Sequence, residues 1–162
     1  MAQAYVSIGS NLAREANICA CLQQLQQDFN KLQYSPVYET EALGFAGNAF
    51  YNLVASFETQ LSVDELKQYL KQLEAKQGRV RTGEKFSDRS LDIDLLLYDD
   101  LVLQPTHNLP HRDILQYAFV LIPLAQLAPH AKHPQNQQTY QQLALQQFAT
   151  SELSSVHLPC LP

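Results

Sequence analysis

From Ala4 to Tyr98 the spacing of apolar residues switches back and forth between two periods, and few folds accept that order. Ala4 to Ile8 is a short apolar run containing Tyr and Val, stopped by Gly9-Ser10-Asn11, which predicts a strand ending in a turn. From Leu12 to Phe29 the residues Ile18, Leu22, Leu25 and Phe29 recur at helical spacing, with Cys21 in the same stripe and glutamines on the wet face. Leu32 to Tyr38 reads as a strand whose Pro36 requires an edge position or a bulge. Glu39 to Asn48 contains Gly44 and Gly47 and reads as a loop, and Phe50 to Thr59 is a strand rich in Phe, Tyr and Val. Ser62-Val63-Asp64-Glu65 is a capping box, in which a hydroxyl and a carboxylate cover free N–H groups at a helix start. The helix buries Leu66, Leu70 and Leu73 and stops at Gly78. Arg79 to Ser90 has no period and predicts a loop, and Leu91 to Tyr98 predicts a strand. The order is strand, helix, strand, strand, helix, strand, the split βαββαβ arrangement of a ferredoxin-like α+β sandwich. Phe119 to Ala128 and Thr139 to Phe148 add C-terminal helices. Such a sheet hosts many functions and names none of them.

The chain has 162 residues, with no internal repeat and no composition break, so a single domain over 1–162 is expected. At this length one core removes roughly 70% of the unfolded surface from water, and neither a disulfide nor a structural metal is required. The net charge of −5 argues against a general nucleic-acid or anionic-membrane surface. No apolar run approaches the ~18 residues of a membrane span, and no cationic start precedes a long apolar stretch. Cys19, Cys21 and Cys160 fit no zinc spacing, and the expectation is three reduced thiols in a cytoplasmic protein. The positive charge is unevenly placed: Lys67, Lys71, Lys76, Arg79, Arg81, Lys85 and Arg89 make seven of the 11 basic residues.

Those cations lead into Arg89-Ser90-Leu91-Asp92-Ile93-Asp94. Strand alternation puts Asp92 and Asp94 on one face, continued by Leu96 and Tyr98, while Leu91, Ile93 and Leu95 point the other way. Two carboxylates at the rim of an apolar face repel unless a cation joins them, and hard oxygen ligands suit Mg²⁺ with phosphates completing its shell. Guanidinium groups bind phosphate oxygens in bidentate fashion, so acidic metal ligands next to several arginines form a constellation for polyphosphate transfer. No P-loop and no protein-kinase signature is present. A second constellation, Phe50-Tyr51-Asn52 with Tyr117-Ala118-Phe119, combines rings with an amide and suits a flat heterocycle with donors and acceptors on its edge. His107 and His111 are four apart, but Pro110 opposes the helix that would align them on zinc.

Taken in order, Ile8-Gly9-Ser10-Asn11-Leu12, Tyr38-Glu39-Thr40, Asn52, Glu74, Gly78-Arg79-Val80-Arg81, Arg89 to Tyr98, Pro110-His111 and Phe119 to Leu124 make the chain similar to the 6-hydroxymethyl-7,8-dihydropterin pyrophosphokinase family over about 4–129. The resemblance implies transfer of the terminal pyrophosphoryl group of ATP to the pterin hydroxymethyl group, with release of AMP. It implies two Mg²⁺ ions on Asp92 and Asp94, and Arg79 and Arg89 as catalytic contacts to the phosphates. Glu74, Arg81, Lys85, His111 and Arg112 join Arg79 and Arg89 on the ATP side, Glu74 being open between structural support and nucleotide contact. Phe50 and Phe119 sandwich the pterin, Asn52, Thr40 and the backbone near Leu43 read its edge, and Gly9 and Asn11 shape the adjoining wall. A monomer acting on ATP and the pterin, with no nucleic acid and no membrane, is the implied assembly. The chain departs from the family at Phe86, Ser87-Asp88, Lys85, Glu41 and Tyr117, the last replacing a frequent Arg. A pterin-binding paralogue without efficient transfer shares these motifs. A ferredoxin-like RNA-binding module would need a basic surface and an aromatic signature that this sequence lacks.

Overall fold

The computed structural model describes residues 1–42, 47–77 and 90–161. The chain runs β1 (Ala2–Ser10), α1 (Arg14–Asp28), β2 (Asn30–Tyr34), β3 (Val37–Thr40), β4 (Phe50–Thr59), α2 (Val63–Lys76), β5 (Asp92–Tyr98), a 3-10 turn (Arg112–Leu115), α3 (Ala118–Leu127), α4 (Tyr140–Phe148) and β6 (Ser154–Val156). The sheet is antiparallel at every pairing, in the order β5-β1-β4-β3-β6, with β2 paired to the other half of β4. Because β1 and β3 flank β4, they run parallel to one another across it, which is the split βαβ of a ferredoxin-like α+β fold.

Side chains alternate across this sheet and feed two cores. Ala4, Val6 and Ile8 of β1 and Leu53, Ala55 and Phe57 of β4 pack under α1 and α2, against Ile18, Leu22, Leu25, Leu66, Leu70 and Leu73. Val54 and Leu96 face the opposite side and pack with Ile114, Val120, Leu121, Leu124, Tyr140 and Leu143 of the C-terminal elements. Burying each large aliphatic or aromatic side chain contributes about 1.5–3 kcal/mol. Helix α2 begins at the expected capping box: Ser62 Oγ accepts the Glu65 N–H at 3.2 Å, and Glu65 Oε1 accepts the Ser62 N–H at 3.0 Å. At the Phe57 end of the sheet, Phe29 stacks on Phe57 with centroids 4.3 Å apart and Tyr69 meets Phe29 edge-on at 5.0 Å. That end is therefore closed by rings, and the Phe50 end carries the polar groups.

Three sequence expectations change. Tyr98 does not continue the aspartate face. The β1–β5 register shifts between Tyr5 and Val6, whose partners are Leu97 and Leu95, so Leu96 is an extra residue on β5. The bulge advances the pleat by one position: Leu97 joins Leu96 toward α3, and Tyr98 turns toward α2, donating its hydroxyl to the Leu61 carbonyl at 2.6 Å. The single strand expected over 32–38 is two strands broken at Ser35-Pro36, where the buried Ser35 Oγ accepts the Val54 N–H at 3.0 Å and keeps β4 satisfied across the break. The cysteines also differ: Cys19 on α1 is joined to Cys160 in a disulfide, and Cys21 stays a free, buried thiol. Length and spacing could not predict this bond, because its partners lie 141 residues apart. Among the described residues no helix is long and apolar enough to cross a membrane.

Ser35→Ala should cost about 1–3 kcal/mol, since it leaves the buried Val54 N–H without its acceptor. Urea unfolding should show a lower midpoint at an unchanged slope; an unchanged midpoint would remove Ser35 from the sheet's hydrogen-bond ladder.

Candidate active site

The strand registers set the groups of interest in one row. Gly9 of β1 pairs with Asp92 on one side and Asn52 on the other, and Asn52 pairs with Tyr38. Directly opposed residues share a face, so Asp92, Gly9, Asn52 and Tyr38 all lie on the α3 side of the sheet. One step along, Asp94 pairs with Ser7, and Phe50 pairs with Thr40. With strands spaced about 4.8 Å apart, the Asp92 and Asn52 backbones sit about 10 Å from one another with only a glycine between them.

On the Asn52 side, the amide Nδ2 donates to Thr40 Oγ1 at 2.6 Å. Tyr38 donates its hydroxyl to Gln126 of α3, which fixes that helix over β3. Phe119 sits half-buried at the start of α3, with Tyr117 stacked on it at 5.0 Å and an interplanar angle of 20°. Tyr117 thus covers one face of Phe119 with its own ring. Asn11 is buried, and its Nδ2 donates to the Asn48 carbonyl at 3.1 Å. Sequence reasoning missed Arg14, which donates to Glu39 at 2.8 Å and to the Ala49 carbonyl at 3.0 Å, with its guanidinium 3.9 Å from the Tyr51 ring centroid. A lone Arg at a helix start carries no signal by itself; the three contacts arise only in the fold.

On the carboxylate side, Asp92 and Asp94 are both half-exposed and begin β5. Glu74 of α2 is 3% exposed, and its Oε2 accepts the N–H of Ile93, the residue between the two aspartates, at 3.1 Å. This bond ties α2 to the backbone that carries the pair. His111 follows: its N–H donates to the Leu96 carbonyl at 2.9 Å, and its Nδ1 accepts the Asp113 N–H at 3.1 Å. Ligand atoms of Asp94, His111 and Asp113 all lie within 4.8 Å of one another. Burial holds the His111 pKa below the ordinary value, with Asp113 opposing and Arg112 and Lys67 adding to the depression, so the ring is neutral at pH 7. Arg112 is exposed at the first position of the 3-10 turn. Lys67 of α2 donates to the His107 carbonyl at 2.5 Å, and His107 Nε2 lies 2.7 Å from Asp64, which fastens the 103–109 turn to the first turn of α2. The expectations on Leu43, Arg79, Arg81, Lys85 and Arg89, and the departures at Phe86 and Asp88, lie outside the described residues.

The oxygen donors of Asp92 and Asp94, held at one sheet end by Glu74, fit a hard divalent cation of the Mg²⁺ kind. Together the fold and the cluster define a ferredoxin-like α+β protein with carboxylates and a ring-and-amide group side by side at one end of its sheet. The family model for 7,8-dihydro-6-hydroxymethylpterin-pyrophosphokinase (HPPK) matches residues 5–129. A 2-amino-4-hydroxy-6-hydroxymethyldihydropteridine pyrophosphokinase of Pseudomonas aeruginosa is 38% identical over 135 residues, which cover 80% of this chain and 83% of that protein. The enzyme of the same name from Haemophilus influenzae is 34% identical over 142 residues, covering 85% and 88%. A Plasmodium falciparum HPPK-DHPS structure with pterin and p-hydroxybenzoate superposes with a TM-score of 0.69 at 14% identity, over 94% of this chain and 45% of that longer one, and so bears on the fold alone. The chain belongs to the HPPK family, and membership makes it an enzyme of the transferase class.

A Cβ added at Gly9 would lie 2.8 Å from Asn52 Oδ1 and 3.7 Å from the Phe50 ring. Gly9→Ala should therefore push the amide off Thr40 and cost about 1 kcal/mol. On an Asn52→Ala background the same change should cost nothing measurable, and a double-mutant cycle with no coupling would show that Gly9 does not make room for Asn52.

Proposed function

We propose that this chain transfers pyrophosphate from ATP to the hydroxymethyl group of 6-hydroxymethyl-7,8-dihydropterin, giving the pterin diphosphate and AMP in folate biosynthesis. The observation that carries the reading is the row Asp92–Gly9–Asn52, which puts a cation-holding edge and a heterocycle-reading edge on one face with a side-chain-free position between them.

Asp92 and Asp94 would hold two Mg²⁺ ions, which when bound supply charge neutralisation and orientation to the triphosphate. Glu74 acts through the Ile93 N–H as a positioning group for that pair. His111, neutral and fixed by Asp113, offers a hydrogen bond to the nucleotide rather than a charge. Arg79, Arg81, Lys85, Arg89 and Arg112 would meet the phosphates, with Arg89 the better candidate for the transferred group. Asn52 and Thr40 read the pterin edge as one hydrogen-bonded unit, joined by the backbone near Leu43, and Phe50 and Phe119 stack on its faces. Gly9 and Asn11 form the wall beside it. Phosphoryl chemistry asks for in-line positioning and electrostatic stabilisation more than for a dedicated base, and these residues supply both. All of them come from one chain over 1–162, so the reading is of a single-domain monomer acting on ATP and the pterin, with no nucleic acid and no membrane.

Purified protein given ATP, Mg²⁺ and the pterin should release AMP; release of ADP would exclude pyrophosphoryl transfer. Asp94→Ala should lower turnover by at least about a hundredfold with the thermal transition retained. Turnover close to that of the unsubstituted protein would remove Asp94 from the metal site. Phe119→Ala should raise the pterin KM while leaving the ATP KM in place, and equal effects on both would deny it the pterin face.

A further inference from the structure

The last residues of the chain lie beyond the family match, which ends at 129, yet they are built into the sheet. β6 pairs antiparallel with β3, as Val37 with Val156, Tyr38 with Ser155 and Glu39 with Ser154. β3 is otherwise the edge of the sheet on that side, and an uncovered edge leaves a row of N–H and C=O groups open. Leu158 is 2% exposed in the core under α1 and α2, and Val156 and Leu161 pack against the same cluster. Cys160, exposed on the tail, is bonded to half-buried Cys19 in the middle of α1.

The segment so covered is the one that carries the pterin-side groups. Glu39, paired with Ser154, is held by Arg14 from the start of α1, and the next residue, Thr40, accepts the Asn52 amide. Helix α1 thus grips β3 twice, directly through Arg14 and by way of the tail through Cys19. A strand of three residues with two of them exposed is a weak hold by itself. A covalent link makes its docking intramolecular at high effective concentration.

We propose that the Cys19–Cys160 disulfide is a thiol-exchange site, open to small dithiol reductants, that clasps the C-terminal strand onto β3 and so sets the affinity of the pterin side. In the exchange, a reductant thiolate attacks the exposed Cys160 Sγ. The S–S bond breaks, and Cys19 leaves as a thiolate that takes up a proton. The second thiol of the reductant then displaces Cys160 and closes its own disulfide, so two electrons pass from the dithiol to the protein. Cys21 does not compete: burial, then the charge of Glu74, pushes its thiol up to about 12, so it stays protonated inside the core. The exchange therefore has two end states, Cys160 bonded to Cys19 or both thiols reduced, and in the second the tail is held only by β6 and by Leu158, Val156 and Leu161.

The consequence for pterin rests on the proposed function, but the clasp itself does not, and the experiment separates them. Protein treated with diamide should show one titratable thiol after denaturation, and protein treated with dithiothreitol three. Amide exchange in Ser154–Val156 and Val37–Thr40 should quicken on reduction while the Phe29–Phe57 end of the sheet is unchanged. The pterin KM should rise about fivefold or more, the lower range of coupling between sites, with the ATP KM and the saturated rate held. Cys160→Ser and Cys19→Ser should each behave as the reduced protein and lose the response. If either fails to fold, the dithiothreitol-treated unsubstituted chain makes the comparison. Three free thiols after diamide, or equal exchange in the two states, overturns the clasp. Faster exchange with an unchanged pterin KM overturns its coupling to the site. If neither state yields AMP, the proposed function has failed, and thiol count and exchange still decide the clasp.

Discussion

Strand β1 is hydrogen-bonded on both edges, to β4 from Ala2 to Ser10 and to β5 from Ala4 to Gly9. The strand-borne groups of the candidate site on β4 and β5 depend on that double register. A slip of one residue against either neighbour would turn Asp92 and Asp94, or Asn52 and Phe50, to the face covered by α1 and α2. There an unpaired carboxylate or amide would meet the apolar side chains of α1 and α2 at a cost of several kcal/mol. The hydrophobic alternation of β1, with Ala4, Val6 and Ile8 fully buried on one side, holds the register, because any slip takes all three out of the core under α1 and α2 together. The site is thus specified by the core beneath it as much as by its own residues.

The two ends of the sheet divide the work. Rings of Phe29, Phe57 and Tyr69 pack at one end, where burial supplies stability. At the other end, polar side chains are satisfied by one another or by backbone groups: Glu74 by the Ile93 N–H, Asn52 by the Thr40 hydroxyl, Arg14 by Glu39 and the Ala49 carbonyl, Asn11 by the Asn48 carbonyl. Such pairings hold donors and acceptors in place before any ligand arrives, so less orientational freedom remains to be lost on binding. The β5 bulge serves the same division, since it lets Asp92 and Asp94 face the α3 side while Tyr98 braces α2 at Leu61.

Much of the fold was legible because it follows from local chemistry. Phe50–Thr59 is a strand with the bounds that its β-branched and aromatic residues imply, and Ser62 with Glu65 starts α2 because a capping box is satisfied within four neighbouring residues. The pairing of Asp92 with Asp94 on one face needed only the strand period. Less visible were contacts whose partners are distant in the chain. Arg14 with Glu39 and Ala49, Ser35 on Val54 and the docking of β6 all depend on which strand lies beside which.

The sequence by itself determined the alternation of strands and helices from β1 to β5 apart from the break at Ser35-Pro36, the aspartate pair on one face, and the motif set that places the chain in its family, because periodicity, capping and strand alternation act within a few residues of backbone. Only the tertiary structure decided that Gly9 separates the two halves of the site, that Tyr98 leaves the aspartate face, and that Cys19 and Cys160 are joined. Each of these is set by register or by proximity across the sheet and its covering helices. Local spacing does not encode those distances until the ladders have formed.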